Sequence, residues 1–192
     1  MDAVEALRAH EPVLLPTDTV YGLCGAPDEE GTARVYALKG RTGTQPTALL
    51  AGTVEALLAA VPELDERLLR ALLPGPYTLV LPNPAHRFPW LAGTRPDALG
   101  IRVPDLSAPA MEVLDAVGCV LATSANDPGG PNPVSLADVP ARIRAGCGAE
   151  VDAGPLPGTP STVLDLTGEP FVIREGAVPG DEAIAKARRA LQ

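Results

Sequence analysis

Three short polar strings interrupt a largely aliphatic sequence. Thr17-Asp18-Thr19 follows the apolar run Val13-Leu14-Leu15, Lys39-Gly40-Arg41 closes a helical stretch, and Ser124-Ala125-Asn126 follows Cys119 to Thr123. Arg102 stands between Ile101 and Val103, and Arg174 follows Phe171-Val172-Ile173. These are residue types that hold anions: a guanidinium meets a carboxylate or phosphate with two parallel hydrogen bonds. Loops at strand ends are also where α/β sheets bind ligands. Together Lys39, Arg41, Arg102 and Arg174, beside hydroxyl-bearing loops, make an anion pocket inside an acidic chain. Taken singly, each has a plainer reading. Lys39 and Arg41 complement a helix C-terminus, Arg102 is a strand-edge charge, Ser124 and Asn126 turn the chain, and Arg174 pairs at the surface.

Several chemistries are missing. No GxxxxGK[ST] and no GxGxxG occurs, so a nucleotide has to be held by side chains rather than by a glycine-rich phosphate loop. GxSxG is absent, and His10, at a helix end, and His86, in a Pro-rich loop, read as surface residues, which leaves a Ser/His/Asp hydrolase unsupported. Cys24, Cys119 and Cys147 form no CxxC pair. They read as small apolar residues rather than as a zinc site or a disulfide framework.

The elements that position these residues alternate between strand-like and helical stretches. Asp2 and Glu5 form a capping box for a helix through Ala9, Val13–Leu15 is a strand, and Thr17 to Gly25 is a loop. Asp28 caps a helix to Leu38; Thr47–Ala51 is a strand, followed by helices over Thr53–Ala60 and Glu63–Leu73, the second with Pro62 at its start. Strands follow at Tyr77–Leu81, Leu99–Val103 and Cys119–Thr123, with a Pro-rich loop over Pro82–Pro96 and a helix over Pro109–Val117. A loop over Ser124–Pro133 leads to a helix capped by Ser135 and Asp138. Strands at Ser161–Leu166 and Phe171–Arg174 and an amphipathic helix over Asp181–Leu191 complete the chain. This alternation predicts an α/β fold, a mixed twisted open sheet with packed helices, in one domain over residues 1–192.

Composition narrows the function. At 192 residues, 46% hydrophobic but 3% aromatic, with 19 glycines and 22 prolines, the chain builds an aliphatic core and many backbone-made turns. A net charge of −9 disfavours a surface made for nucleic acid, which needs Lys and Arg against phosphates. No apolar run reaches the roughly 20 residues of a membrane span, and Met1-Asp2 opens no signal-type segment, so the expected location is the cytoplasm.

The string Leu15-Pro16-Thr17-Asp18-Thr19-Val20-Tyr21-Gly22-Leu23 resembles the signature of the YrdC family of threonylcarbamoyl-AMP synthases. Lys39-Gly40-Arg41 resembles its KxR element, Pro74 to Leu81 its PGPxTLVL segment, Gly100 to Pro104 its VRVP strand, and Ser124-Ala125-Asn126 its SxN element. Pro160 to Asp165 and Ile173 to Ala177 match its STVVD and LRxGA segments, so the likeness runs in order over roughly residues 12 to 178, as in the short, single-domain form.

The resemblance implies a YrdC-like fold enclosing a cationic cavity and a nucleotidyltransferase activity. L-threonine, bicarbonate and ATP would give threonylcarbamoyl-AMP and pyrophosphate, for threonylcarbamoyladenosine at position 37 of tRNA. It implies that Thr19, Arg102, Ser124 and Ser161 bind L-threonine, with Arg102 on the carboxylate, and that Lys39, Arg41, Ala98, Asn126 and Arg174 bind ATP, Lys39 and Arg41 also serving the chemical step. Mg²⁺ is expected to travel with ATP and water, with no protein metal site, and tRNA or the later tRNA-modification enzymes are the expected partners. Three positions depart from the pattern: Gln45 replaces a second cation, Pro128 and Val134 replace hydroxyls, and Leu50 stands where some relatives have His. Two other readings stay open, a paralogue with the pocket but different carbamoyl chemistry, favoured by Gln45, and an RNA-binding module.

Overall fold

The computed structural model describes residues 1–191. Nine strands form one sheet: β1 (Val13–Pro16), β2 (Tyr21–Gly25), β3 (Ala48–Ala51), β4 (Tyr77–Pro82), β5 (Ala98–Arg102), β6 (Cys119–Ser124), β7 (Ala149–Glu150), β8 (Thr162–Asp165) and β9 (Phe171–Arg174). Their order is β7-β1-β2-β6-β3-β5-β4-β8-β9. The β1–β7, β3–β5 and β4–β8 pairs are parallel and the others antiparallel, so the sheet is mixed, as the sequence predicts.

Local chemistry accounts for the helices. The capping box of Asp2 and Glu5 opens α1 (Ala3–Arg8). The Asp28 carboxylate accepts the Gly31 N–H at 2.8 Å and opens α2 (Glu29–Lys39), which ends at Gly40 in the left-handed region with φ 68°. Glycine takes that conformation at little cost, and the turn throws Arg41 off the helix axis. Thr53 and Asp65 cap α3 (Val54–Ala60) and α4 (Glu66–Leu72), and α5 (Ala108–Val117), α6 (Ala141–Ala145) and α7 (Gly180–Leu191) complete the set.

Four expectations need correction. The stretch read as a loop from Thr17 to Gly25 contains β2 over its last five residues. Both faces of that strand are buried, so it lacks the alternation that marks a half-exposed strand, and its glycines read as loop residues. Gly25 is there because α2 packs onto it: an added Cβ would stand 2.7 Å from Val35 Cγ2. Pro62 does not start α4; the helix begins only after Asp65 supplies the side-chain cap. Ser135 and Asp138 do form a capping box, but the segment beyond is a single 3₁₀ turn, Leu136–Asp138. The two-residue edge strand β7 adds to the expected strands; it is too short to carry a pattern of its own.

Each strand divides its side chains between two faces. Leu14, Tyr21, Leu23, Leu49, Leu79, Ile101, Leu121 and Leu164 enter the larger apolar core. On the opposite face Val13, Leu15, Cys24, Leu50 and Val120 pack under α1 and α5. Beside that smaller core the same face changes character. Gly22, Ala48, Ala98, Gly100 and Ala122 project no more than a Cβ, and the sheet there floors a cavity instead of meeting a helix.

Candidate active site

The cavity has a volume of about 310 Å³, within the range of small-molecule sites. Among the described residues, four arginines line it, Arg41, Arg95, Arg102 and Arg174, and no carboxylate does. In a chain of net charge −9 this is a local reversal of sign, the arrangement that concentrates anions.

Arg102, at the end of β5, is the most enclosed of the four. Its Nη2 bonds the Asp18 carboxylate and, at 2.6 Å, Thr19 Oγ1. Asp18 Oδ2 also accepts the Asp105 N–H at 3.3 Å. The loop between β1 and β2 is itself tied down. Thr17 Oγ1 donates to the Val20 carbonyl at 2.7 Å and lies 3.0 Å from Thr19 Oγ1, so the Thr19 hydroxyl turns its proton to Thr17 and its lone pair to Arg102. Arg102 Nε is buried without a hydrogen-bond partner among the described residues.

Arg41 and Arg174 have no carboxylate partner among the described residues. Arg41 makes only long contacts, 3.4 Å to Thr47 Oγ1 and 3.5 Å to the Pro46 carbonyl. Arg174 Nη2 donates to the Ser161 carbonyl at 2.8 Å, and Ser161 Oγ lies 2.8 Å from Thr78 Oγ1 on β4. Burial pushes the guanidinium pKa of all three below its usual value. At Arg174 the charges of Arg102 and Arg41 push the same way, which places the three within one another's field. Like charges held together in a partly buried site are stabilised by anionic ligands.

The predicted residues fall in two layers. Arg41, Ala98, Arg102, Ser124, Ser161 and Arg174 line the cavity. Thr19, Lys39 and Asn126, expected to contact ligands, are not among the lining residues; all three are buried and held in internal hydrogen bonds. Lys39 Nζ donates to the carbonyls of Ser124 and Asn126 and, at 2.6 Å, to Asn126 Oδ1. Asn126 Oδ1 also accepts from Ser124 Oγ at 2.6 Å, and its amide nitrogen donates to the Gly130 carbonyl at 2.7 Å. Burial, with Arg41 nearby, brings the Lys39 ammonium down to about 8.

Sequence reasoning missed Arg95, which lies in the Pro-rich loop and belongs to no motif, and the hydroxyls of Thr47, Thr78, Thr94 and Thr123. Thr78 was within reach, since it alternates with the buried Tyr77 and Leu79 on β4. Gln45 is exposed and outside the lining. Among the described residues no group of three or more His, Cys, Asp or Glu is placed to hold a metal, and both Asp18 oxygens are engaged. Among the described residues no helix is long and apolar enough to cross a membrane.

A Sua5/YciO/YrdC family model, whose description reads "Telomere recombination", matches residues 5–176. The threonylcarbamoyl-AMP synthase of Chromohalobacter salexigens is 37% identical over 175 residues, covering 86% of this chain and 91% of that protein. Among solved structures, P. abyssi Sua5 complexed with L-threonine superposes with a TM-score of 0.85 at 31% identity, over 96% of this chain and 56% of that one. E. coli YciO superposes with a TM-score of 0.78 at 28% identity, over 95% of this chain and 90% of that one.

Proposed function

The chain belongs to the Sua5/YciO/YrdC family, and from that membership we propose that it is an L-threonylcarbamoyladenylate synthase. The amine of L-threonine and bicarbonate form a carbamate with loss of water. A carbamate oxygen then attacks the α-phosphorus of ATP, the bond to the β-phosphate oxygen breaks, and pyrophosphate leaves. The observation that carries this reading is the convergence of Arg41, Arg102 and Arg174 on a carboxylate-free cavity.

Bicarbonate and ATP are anions, L-threonine carries a carboxylate and the carbamate adds another, so the protein has to hold repelling groups in line and to offset charge on the transferring phosphoryl group. Arg102 takes the threonine carboxylate: its plane is set by Asp18 and Thr19, and it lines the cavity. Ser124 and Ser161 supply hydroxyls to the amino acid from the cavity wall. Arg41 and Arg174, lacking carboxylate partners, take the triphosphate, with Ala98 beside the nucleotide. Thr19, Lys39 and Asn126 act one layer back, Thr19 by orienting Arg102 and the other two by holding the turn that presents Ser124.

Mg²⁺ fits this site as a companion of the nucleotide. With no acidic cluster among the described residues to receive it, the ion would be held by phosphate oxygens and water, as a cation that dehydrates reluctantly prefers, and would supply charge to offset the phosphates. The product is the precursor for tRNA threonylcarbamoyladenosine, in the cytoplasm.

The test is pyrophosphate release by the purified protein with ATP, Mg²⁺, bicarbonate and L-threonine. Release that requires L-threonine is expected. Release independent of it favours the paralogue with other carbamoyl chemistry, and tight, salt-sensitive RNA binding without pyrophosphate release favours the binding module.

A further inference from the structure

Arg95 lines the cavity but differs from the other arginines in how its charge is met. Its Nη1 bonds Asp165 Oδ2 at 2.5 Å and its Nη2 bonds Thr167 Oγ1 at 2.9 Å. Asp165 is 2% exposed, and its other oxygen accepts from the Thr167 N–H at 2.9 Å and hydroxyl at 2.6 Å. The Thr167 hydroxyl thus donates to the carboxylate and accepts from the guanidinium, closing a ring that leaves Arg95 one orientation. A guanidinium neutralised by its own carboxylate has little charge to offer a phosphate; it keeps a fixed plane, half exposed on the cavity side.

The place where that plane lies matters. Gly100 on β5 pairs with Val80 on β4, and Val80 with Asp165 on β8. Arg102, Thr78 and Val163 project from the same face one alternation further along, about 7 Å away at roughly 3.3 Å per residue. Arg95, held at Asp165, therefore stands one alternation from the row that carries the ligand-seeking Arg102, with Val80 between it and Gly100. No aromatic ring lines the cavity among the described residues. A heterocyclic base entering this end has one rigid planar partner there.

We infer that Arg95 is the nucleobase-binding residue, laying its guanidinium face on the adenine of ATP beside Val80 on the cavity floor, while Asp165 and Thr167 act as positioning residues for it. The inference rests on the ATP-dependent reading of the site. It also divides the arginines into two kinds: those without carboxylate partners take anions, and the paired one takes the uncharged ring.

The experiment is calorimetric titration of the wild type, Arg95→Ala and Arg95→Lys with AMP, pyrophosphate and L-threonine. Arg95→Lys keeps a cation for Asp165 but removes the plane, so it tests the proposal even where the alanine variant folds poorly. Both variants are expected to bind AMP about tenfold more weakly, the scale of one base stack, with pyrophosphate and L-threonine affinities unchanged. An unchanged AMP affinity, or pyrophosphate affinity that falls in step with AMP, overturns the role of Arg95. A wild type that binds pyrophosphate and L-threonine but no AMP overturns the nucleotide reading itself.

Discussion

Lys39 and Asn126 are joined by two contacts at once, Nζ to the side-chain Oδ1 at 2.6 Å and Nζ to the backbone carbonyl, across 87 residues of sequence. The last turn of α2 is thereby fastened to the turn that leaves β6. The same ammonium reaches the Ser124 carbonyl, so one buried cation holds three oxygens of a loop that puts a hydroxyl into the cavity.

That brace predicts a pH dependence. Burial, the largest cause, and the neighbouring charges of Arg41 and Arg142 depress the Lys39 ammonium to about 8, with Asp127 opposing them. The group is charged at pH 7 and loses its proton as the pH rises through about 8, where an ordinary lysine would still be charged. A neutral amine has two N–H donors for three oxygens. Affinity for ATP is expected to fall between about pH 7 and 9 with an apparent pKa near 8, as read by titration calorimetry; affinity constant to about pH 10 would contradict it.

Arg102→Ala removes the guanidinium and strands Asp18, 11% exposed, without its ion-pair partner. Lost hydrogen bonds to a charged group cost about 1.5 to 3 kcal/mol. The expected result is a KM for L-threonine raised about 10- to 100-fold, with the KM for ATP changed far less. Steady-state kinetics with each substrate varied in turn separates the two; equal losses would mean that Arg102 serves both ligands.

Arg41→Ala and Arg174→Ala remove cations that are not spoken for by carboxylates, so neither leaves a buried charge behind. Thermal unfolding is expected to stay within a few degrees of the wild type, while kcat/KM for ATP falls on the order of 100-fold, through phosphate binding and transition-state charge. Normal kinetics in both variants would mean that phosphates bind elsewhere.

Gly100→Leu tests the floor. A Cβ at Gly100 meets Ala48 Cα at 3.6 Å and Cβ at 3.8 Å, ordinary contacts, so the rest of the side chain has to rise into the cavity. The variant is expected to fold and to lose nucleotide binding about 100-fold or more, because the site's volume is filled by protein. Retained binding with full occupancy would show that the ligand does not cross β5.

Two helix caps were legible because each is a conversation within four residues: Asp2 with Glu5 and Asp28 with Gly31. Half-buried β4 announced itself by alternation. β2 did not, because a strand covered on both faces carries no period, and its Gly25 records the approach of α2, which no local pattern contains. Among the site residues, Arg41, Arg102, Ser124, Ser161 and Arg174 were readable as polar groups at element ends. The layer to which each belongs was not. Lys39 and Arg41 differ by two positions, yet one is buried beneath the loop and the other opens on the cavity, because Gly40 turns the chain between them.

The order of residues alone determined which groups carry charge or hydroxyls, where α1 and α2 begin, and which strands have an apolar side, since these depend on chemistry over a few bonds. Only the folded chain decided which charges are neutralised. Arg95 meets Asp165 across 70 residues and Arg102 meets Asp18 across 84, while Arg41 and Arg174 meet no carboxylate among the described residues. Pairing energy falls away within a few ångströms, and strand order is what sets those distances.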